Sequence, residues 1–398
     1  MSDSEYEDDD GTFPYEEDIA ELEVEEGYKE EENDIFVNRL SKHSFEHNPP
    51  ETVDFLIGFG IKMTKFLSKS GETHIPKKAM YPEFNKLFKE PIDKALAQLI
   101  MDSDVPEIND QMKKNFGEWI VSRIHKNNIN VTHFQSLGIG RFYGHQKKNM
   151  GSIVTIPKAI KHTLFKFGGW TDLDMIAGHF SILFSVAKSN GYYLATFEKY
   201  INEIKTGLGA DIAEYYSVKN EETLTIDDVK QLFCITLYGG KFNTWVKYME
   251  TAHLASGWKG KKIAWGKDPH PFYKDFQEEV IKLTEVIVYY NRGEKCTKGE
   301  KKKYLLYEYL MENPNLNDEM TDYSINQRLM SYFCQILEND ILYKAYKILV
   351  GKGCVNPQRC ALEYDGLCIP HHQNAVTESV IRDINNKYFR KGFSNNVN

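Results

Sequence analysis

Gly169-Trp170-Thr171-Asp172-Leu173-Asp174-Met175-Ile176 reads as a strand in which residues two apart share a face, so Trp170, Asp172 and Asp174 point one way and Thr171, Leu173 and Met175 the other. Two carboxylates then sit on one side, about 6 to 7 Å apart at Cα. Either could hold Mg2+; the ordinary alternative is a cap on the helix that begins near Ala177. A second acidic segment, Ala361-Leu362-Glu363-Tyr364-Asp365-Gly366-Leu367-Cys368-Ile369-Pro370, has Asp-Gly between apolar flanks, a hairpin signal. A hairpin tip can press a carboxylate against the neighbouring strand, where the first Asp would lie.

Between the two acidic segments, Thr225-Ile226-Asp227-Asp228 has the cap and acidic first turn of a helix, and Gly239-Gly240 has the look of its end. Lys230, Cys234 and Tyr238 are spaced by four and follow one face. An ammonium near one end and an aromatic ring near the other would match a triphosphate and its base. The plainer account is an exposed Lys230 paired with Asp227 and a core Tyr238 at the helix end.

The chain has 398 residues, 41% of them hydrophobic, enough for a sizeable core and two or three domains or subdomains. Its net charge of −9 is unevenly spread. Residues 1 to 34 hold 17 Asp/Glu against a single Lys29, so this segment carries −16 and the remainder −9 + 16 = +7. The acidic segment reads as a solvated, disordered tail or as a nucleic-acid mimic that docks a basic protein partner. Six cysteines lack the spacing of a secreted disulfide framework, which predicts an intracellular protein with reduced thiols. No signal peptide and no apolar run of about 18 residues is found, so no membrane is expected. Cys354, Cys360, Cys368, His371 and His372 lack the tight C-x2-C knuckle of a zinc site, and core thiols are expected there.

Apolar spacing such as Ile92, Ala95, Leu96, Leu99 and Ile100 predicts mainly helix over 37–135. Short runs with Gly, Thr and Val from Gly138 to Ile176 suggest strands. A helix through Phe180 to Ala187 and a helical stretch over 193–320 follow. The latter contains two Lys-rich loops, 257–262 and 292–303, that are either solvated surface or a fringe gripping phosphates. A long helix over Ser324 to Leu349 leads to the second acidic segment, and an amphipathic helix near Val376 to Tyr388 closes the chain.

In this order the motifs resemble the polymerase core of family A DNA polymerases, over about residues 136–390. That family's Gly-Arg, Ile-Pro, Ile-Arg and Asp with Ile four residues on read here as Gly140-Arg141, Ile156-Pro157, Ile160-Lys161 and Asp172 with Ile176. Its fingers helix, Lys-x7-Tyr-Gly, is met by Lys230, Tyr238 and Gly239, its Ile-Asn-led helix by Ile325-Asn326, and its strand-turn Asp by Asp365. The resemblance implies an α+β right-hand polymerase with an antiparallel palm sheet and helical fingers. It divides the chain into a tail (1–36), a helical thumb-like region (37–135), a first palm segment (136–192), fingers (193–323) and a second palm segment (324–398).

It further implies two Mg2+ ions, or Mn2+, on Asp172 and Asp365 with Asp174 in reserve. Lys230 would hold a nucleoside triphosphate, and Tyr238, Gly239, Ala177 and Lys161 would line its site. Arg141, Asn326, Arg328 and Lys158 would contact a DNA or RNA primer-template. The implied activity is DNA-directed DNA polymerisation without proofreading. The family's Glu five residues after the first Asp, which blocks a ribose 2′-OH, is here Ala177. A single-subunit RNA polymerase or primase, similar to the phage type, is therefore the first alternative, and a non-catalytic nucleic-acid-binding replication protein the second. Ile226, Cys234 and Gly366 also depart from the family's pattern.

Overall fold

The computed structural model describes residues 66–67, 73–74, 81–106, 108–135, 139–144, 151–189, 191–218, 221, 223–255, 261, 263, 269–292, 306–311, 322–370, 374–388 and 393–396. The acidic tail, His371, His372 and most of both Lys-rich loops lie outside them. The fold is α+β, and the chain forms two compact units: 65–182 with 334–398, and 183–333.

The first unit begins with a two-residue ladder of β1 (Phe66–Leu67) and β2 (Thr73–His74). β3 (Phe88–Pro91) is followed by helices α1 (Lys94–Asp102) and α2 (Asp110–Trp119). Asp93 caps α1 by accepting from the Ala95 and Leu96 N–H groups, and Asn109 caps α2 through Met112. β4 (Asn128–Val131) pairs antiparallel with β3, and β5 (His133–Gln135) with β6 (Phe142–Gly144). Residues 81–135, expected to be mainly helical, thus hold three strands. These strands have three or four residues each, too short for alternation to stand out against the helical spacing beside them.

Between β6 and β7 (Trp170–Met175) the expected strands are replaced by a 3-10 turn, Ile153–Thr155, and helix α3 (Lys158–Gly168). Pro157 before the first helical residue and Gly169 at φ +69° after the last are its punctuation. Helix α4 (Gly178–Ser189) follows β7. The second unit is helical: α5 (Ala195–Glu203), α6 (Gly207–Tyr216), α7 (Ile226–Leu237), α8 (Phe242–Ala255), α9 (Pro271–Arg292) and α10 (Leu306–Met311). Phe197, Tyr200, Phe233, Tyr273 and Phe276 form its aromatic core, with Phe197 and Phe276 stacked at 4.9 Å. α7 starts at a Thr225–Asp228 capping box, and Asp228 also receives Lys261 at 2.8 Å. That lysine of the first Lys-rich loop is buried as a structural partner and does not belong to a phosphate-gripping fringe.

The 30-residue α11 (Asp322–Gly351) returns the chain to the first unit, where β8 (Ala361–Glu363), β9 (Gly366–Pro370), α12 (Glu378–Tyr388) and β10 (Phe393–Asn396) complete it. The resulting four-stranded sheet is antiparallel throughout, in the order β10-β7-β9-β8. An aromatic cluster of Tyr81, Phe84, Phe142, Tyr343 and Tyr346 packs the later portion of α11 onto the strands. Among the described residues no helix is long and apolar enough to cross a membrane.

Glu90 on β3 is fully buried and accepts from Ser152 Oγ at 2.6 Å and the Ile153 N–H at 2.8 Å. Burial pushes its carboxyl up to about 7, against these bonds and Arg123. The folded chain therefore keeps a proton that the unfolded chain loses near 4.5, and stability falls as pH rises from there to about 7. At ~1.4 kcal/mol per unit this amounts to about 3 kcal/mol. Glu90→Gln, whose Oε1 can accept from the Ile153 N–H while its Nε2 donates to Ser152 Oγ, carries no charge and should remove this component of the pH dependence. Urea midpoints of the two proteins should then diverge in favour of the variant between pH 5 and 8.

Candidate functional site

The site is set by the register of β7 against β9. Asp172 lies opposite Cys368 and Asp174 opposite Gly366, and the Met175 N–H donates to the Asp365 carbonyl at 3.1 Å. Glu363 pairs with Gly366, so the tip of the β8–β9 hairpin is Tyr364-Asp365, not Asp365-Gly366. Gly366 instead permits close approach of the strands. A Cβ there would stand 2.8 Å from the Leu173 carbonyl oxygen and 3.2 Å from Asp174 Oδ1.

This geometry brings Asp365 to Asp174, whose carboxyls hydrogen-bond to each other, and not to Asp172. The turn has two residues, so its tip reaches only as far along β7 as Asp174 and Met175. Asp172, one pleat back, meets Glu363 and Cys368; the ligand atoms of these three lie within 4.8 Å of one another. The Cys368 thiol donates to Glu363 at 3.1 Å and to Asp172 at 3.7 Å, and Lys161 of α3 forms an ion pair with Glu363.

Behind the hairpin tip, Glu338 of α11 is fully buried and receives Arg141 Nε at 2.7 Å and Nη2 at 3.2 Å, with His179 Nε2 3.0 Å away. Arg141 also lies over the Tyr364 ring at 5.2 Å, and its backbone N–H donates to Gln335. Ile176 and Ala177 turn the chain from β7 into α4, with Ala177 at φ +47°. The first turn of α4 then stands so close that a Cβ on Gly178 would be 3.1 Å from Asp365 Oδ2.

Charge decides what this arrangement can do. Burial would push Glu338 up, but Arg141 and His179 overrule it and hold its carboxyl at about 2. Burial also opposes the charge on Lys161, yet Glu363 holds its ammonium above the usual range. Those two acids are thus matched. Asp174 and Asp365 are not: burial and mutual repulsion raise Asp174, and burial with nearby Glu338 raises Asp365. Asp172 is raised by burial and by Glu363. Asp174 and Asp365 thus hold a proton between hard oxygen donors, a pair that fits a divalent cation such as Mg2+ or Mn2+, which would displace that proton. The Asp172–Glu363–Cys368 group, with its thiol and its resident ammonium, fits Mg2+ less well.

The other anticipated residues take varied places. Arg141, expected at a primer-template, is engaged with Glu338 and lies over Tyr364. Lys161 is engaged with Glu363, and Lys158 opens α3. Lys230, Tyr238, Gly239, Asn326 and Arg328 belong to the second unit. There Lys230 is paired with Asp227 at 2.6 Å and remains partly exposed, and Tyr238 ends α7. Gly239 has φ +88°, and a Cβ on it would meet Gln327 at 2.6 Å, so only glycine fits that turn. Asn326 buries its Oδ1 without a partner among the described residues. Cys354 and Cys360 are separate buried thiols rather than co-ligands of Cys368.

Sequence reasoning passed over Glu338, Glu363 and His179 as site residues. For Glu338 a signal existed: Cys334, Leu342, Ala345 and Leu349 form an apolar helical stripe that Glu338 interrupts. Compared with known proteins, the chain matches no protein-family model, and neither a curated protein nor a solved structure is significantly similar to it.

Glu338→Ala should strip Arg141 and His179 of their shared acceptor inside the first unit, with a loss of about 3–5 kcal/mol. Urea unfolding measures it; Glu338→Gln, which keeps an acceptor, should lose less.

Proposed function

We propose that the protein is a nucleotidyltransferase that extends a nucleic-acid strand from nucleoside triphosphates on a template, in the manner of the polymerases its motifs resemble. The observation that supports this most is the carboxyl pair of Asp174 and Asp365, from distant stretches of the chain, joined where the end of β7 meets the tip of the β8–β9 hairpin, with no ion pair to a lysine or arginine for either among the described residues. Two-metal phosphoryl transfer calls for such carboxylates. Mg2+ held by Asp174 and Asp365 would activate the attacking hydroxyl and neutralise charge on the leaving pyrophosphate.

The chain's own groups have distinct tasks. The two-residue turn fixes the Asp365 carboxylate against β7, and Gly366 lets Asp174 come beside it. Glu338 anchors Arg141, whose guanidinium covers the Tyr364 ring and keeps positive charge near Asp365. Lys161 neutralises Glu363, so Asp172 and Glu363 support the sheet electrostatically without needing a cation at every carboxylate. Among the described residues Lys230 has only an exposed i,i+3 bond to Asp227, worth little to stability, and can redirect its ammonium to a triphosphate at small cost.

With Asp174 in place of Asp172, the residue five positions on becomes His179, buried and bound to Glu338, instead of Ala177. The small Ala177 side chain then no longer stands where a ribose 2′-OH would be tested, and deoxynucleotides are the expected substrate.

Primer extension with Mg2+ tests the reading. Asp174→Ala and Asp365→Ala should each lower the rate by at least about a thousandfold, as expected for groups that act only at the reacting centre. Asp172→Asn should cost far less, about tenfold or under. Equal losses for Asp172 and Asp174 would restore Asp172 as the metal ligand, and unchanged rates for the Asp365 variant would remove the reading altogether. Supplying ribonucleotides in the same assay should give slower extension than deoxynucleotides.

A further inference from the structure

At the opposite end of β7 and β9 from the carboxyl pair, where Trp170 lies opposite Pro370, the first unit has a pocket of about 340 Å³. That is within the size range of small-ligand sites. Its walls combine two kinds of chemistry. Trp170 and Phe167 supply aromatic surface; Phe165 covers Trp170 at 5.1 Å, while Phe167 is 70% exposed. Lys126 and Arg359 supply charge, and neither has an ion-pair partner among the described residues. The one acid in the lining, Asp93, is turned onto the Ala95 and Leu96 N–H groups at 2.8 and 3.2 Å as the cap of α1. Two cations against this one acid leave the charge of the lining positive.

Both cations are presented by strained backbone. Lys126 and Asn127, at φ +50° and +56°, are the central pair of a two-residue turn closed by His125 and Asn128. Such a turn favours Asn or Gly at both positions, and lysine there is costly. Gln358, next to Arg359, has φ +58°. Of the four non-glycine residues with positive φ among those described, Lys126 and Asn127 line this pocket, Gln358 precedes its Arg359, and the fourth is Ala177 beside the carboxyl pair. Strain of this kind persists where surrounding structure imposes it, and it gathers at functional sites.

We propose that this pocket binds a nucleotide unit of a single-stranded nucleic acid, with the base against Phe167 and Trp170 and its phosphate between Lys126 and Arg359. Aromatic platforms flanked by cations suit any base, since every base has a π-face and every unit a phosphate. Trp170 precedes Asp174 by four residues on the same strand face, about 13 Å at ~3.3 Å per residue. This separation corresponds to about four stacked nucleotides at 3.4 Å each. The same strand could occupy the carboxyl pair and the pocket together. The choice of a strand over a free nucleotide rests on the nucleotidyl-transfer reading; the pocket's chemistry does not.

The test is fluorescence anisotropy of the full chain with a labelled single-stranded oligodeoxynucleotide of about ten residues, a length within known site sizes. It is repeated over a range of NaCl concentrations. The double variant Lys126→Gly/Arg359→Ala should bind about tenfold more weakly and flatten the log–log salt slope by about 0.7, the value for one phosphate contact on a single strand. Phe167→Ala should weaken binding about tenfold with the slope unchanged. Lys126→Gly alone relieves the turn, so Tm should rise by about 2 °C while affinity drops, a combination a purely structural role would not produce. Unchanged affinity and slope in the double variant would overturn the proposal, as would a deoxynucleoside monophosphate competing as well as the strand. Extension is read in parallel on the wild-type protein. Binding through Lys126 and Arg359 without extension keeps the pocket and refutes the polymerase reading; extension with binding unaffected by the double variant does the reverse.

Discussion

Antiparallel pairing of β7 with β9 is the constraint on which the rest of the first unit depends. Backbone bonds fix Asp174 opposite Gly366, and a slip of one residue would send Asp172 and Asp174 to the other face and bury Leu173 among charges. Gly366 is what makes the contact close enough, because any side chain there would strike the Leu173 carbonyl. The two-residue hairpin then leaves Asp365 nowhere to go except against Asp174. Sheet, turn and glycine thus act together to assemble one carboxyl pair from chain segments that meet only in the folded state.

Holding so many acids together has an electrostatic cost, and the unit meets it unevenly. Glu338 is matched by Arg141 and His179, and Glu363 by Lys161. Asp174 and Asp365 are left with raised proton affinity, Asp174 because burial and the Asp365 charge disfavour its ionisation, Asp365 because burial and the Glu338 charge do. An acid pair that the fold could have matched, but did not, is where an external cation gains most. The aromatic pocket at the other end of the same strands shows the complementary imbalance, with Lys126 and Arg359 lacking an ion-pair partner among the described residues.

Much of this was legible in the sequence. The alternation in Trp170–Met175, the Thr225–Asp228 cap, the glycine after Tyr238, the long helix ahead of the second acidic segment and the closing helix all declare themselves locally. What could not be read was pairing across the chain. Asp172 and Asp174 are equivalent in a strand pattern, and only the reach of a hairpin nearly two hundred residues later separates them. The Asp-Gly signal pointed to a hairpin but misplaced its tip, because Gly366 serves the neighbouring strand and not the turn. The short strands β3 to β6 carry too few residues for a period to emerge, and α3 was hidden in a stretch whose Gly, Thr and Val suggested strands.

The central claim is that Asp174 and Asp365 together form a divalent-cation site. Anomalous diffraction from crystals soaked in Mn2+ tests it most directly. The expected result is a peak bridging the two carboxylates at oxygen distances of about 2.0 to 2.3 Å. A peak at Asp172, Glu363 and Cys368 with none between Asp174 and Asp365 would contradict it.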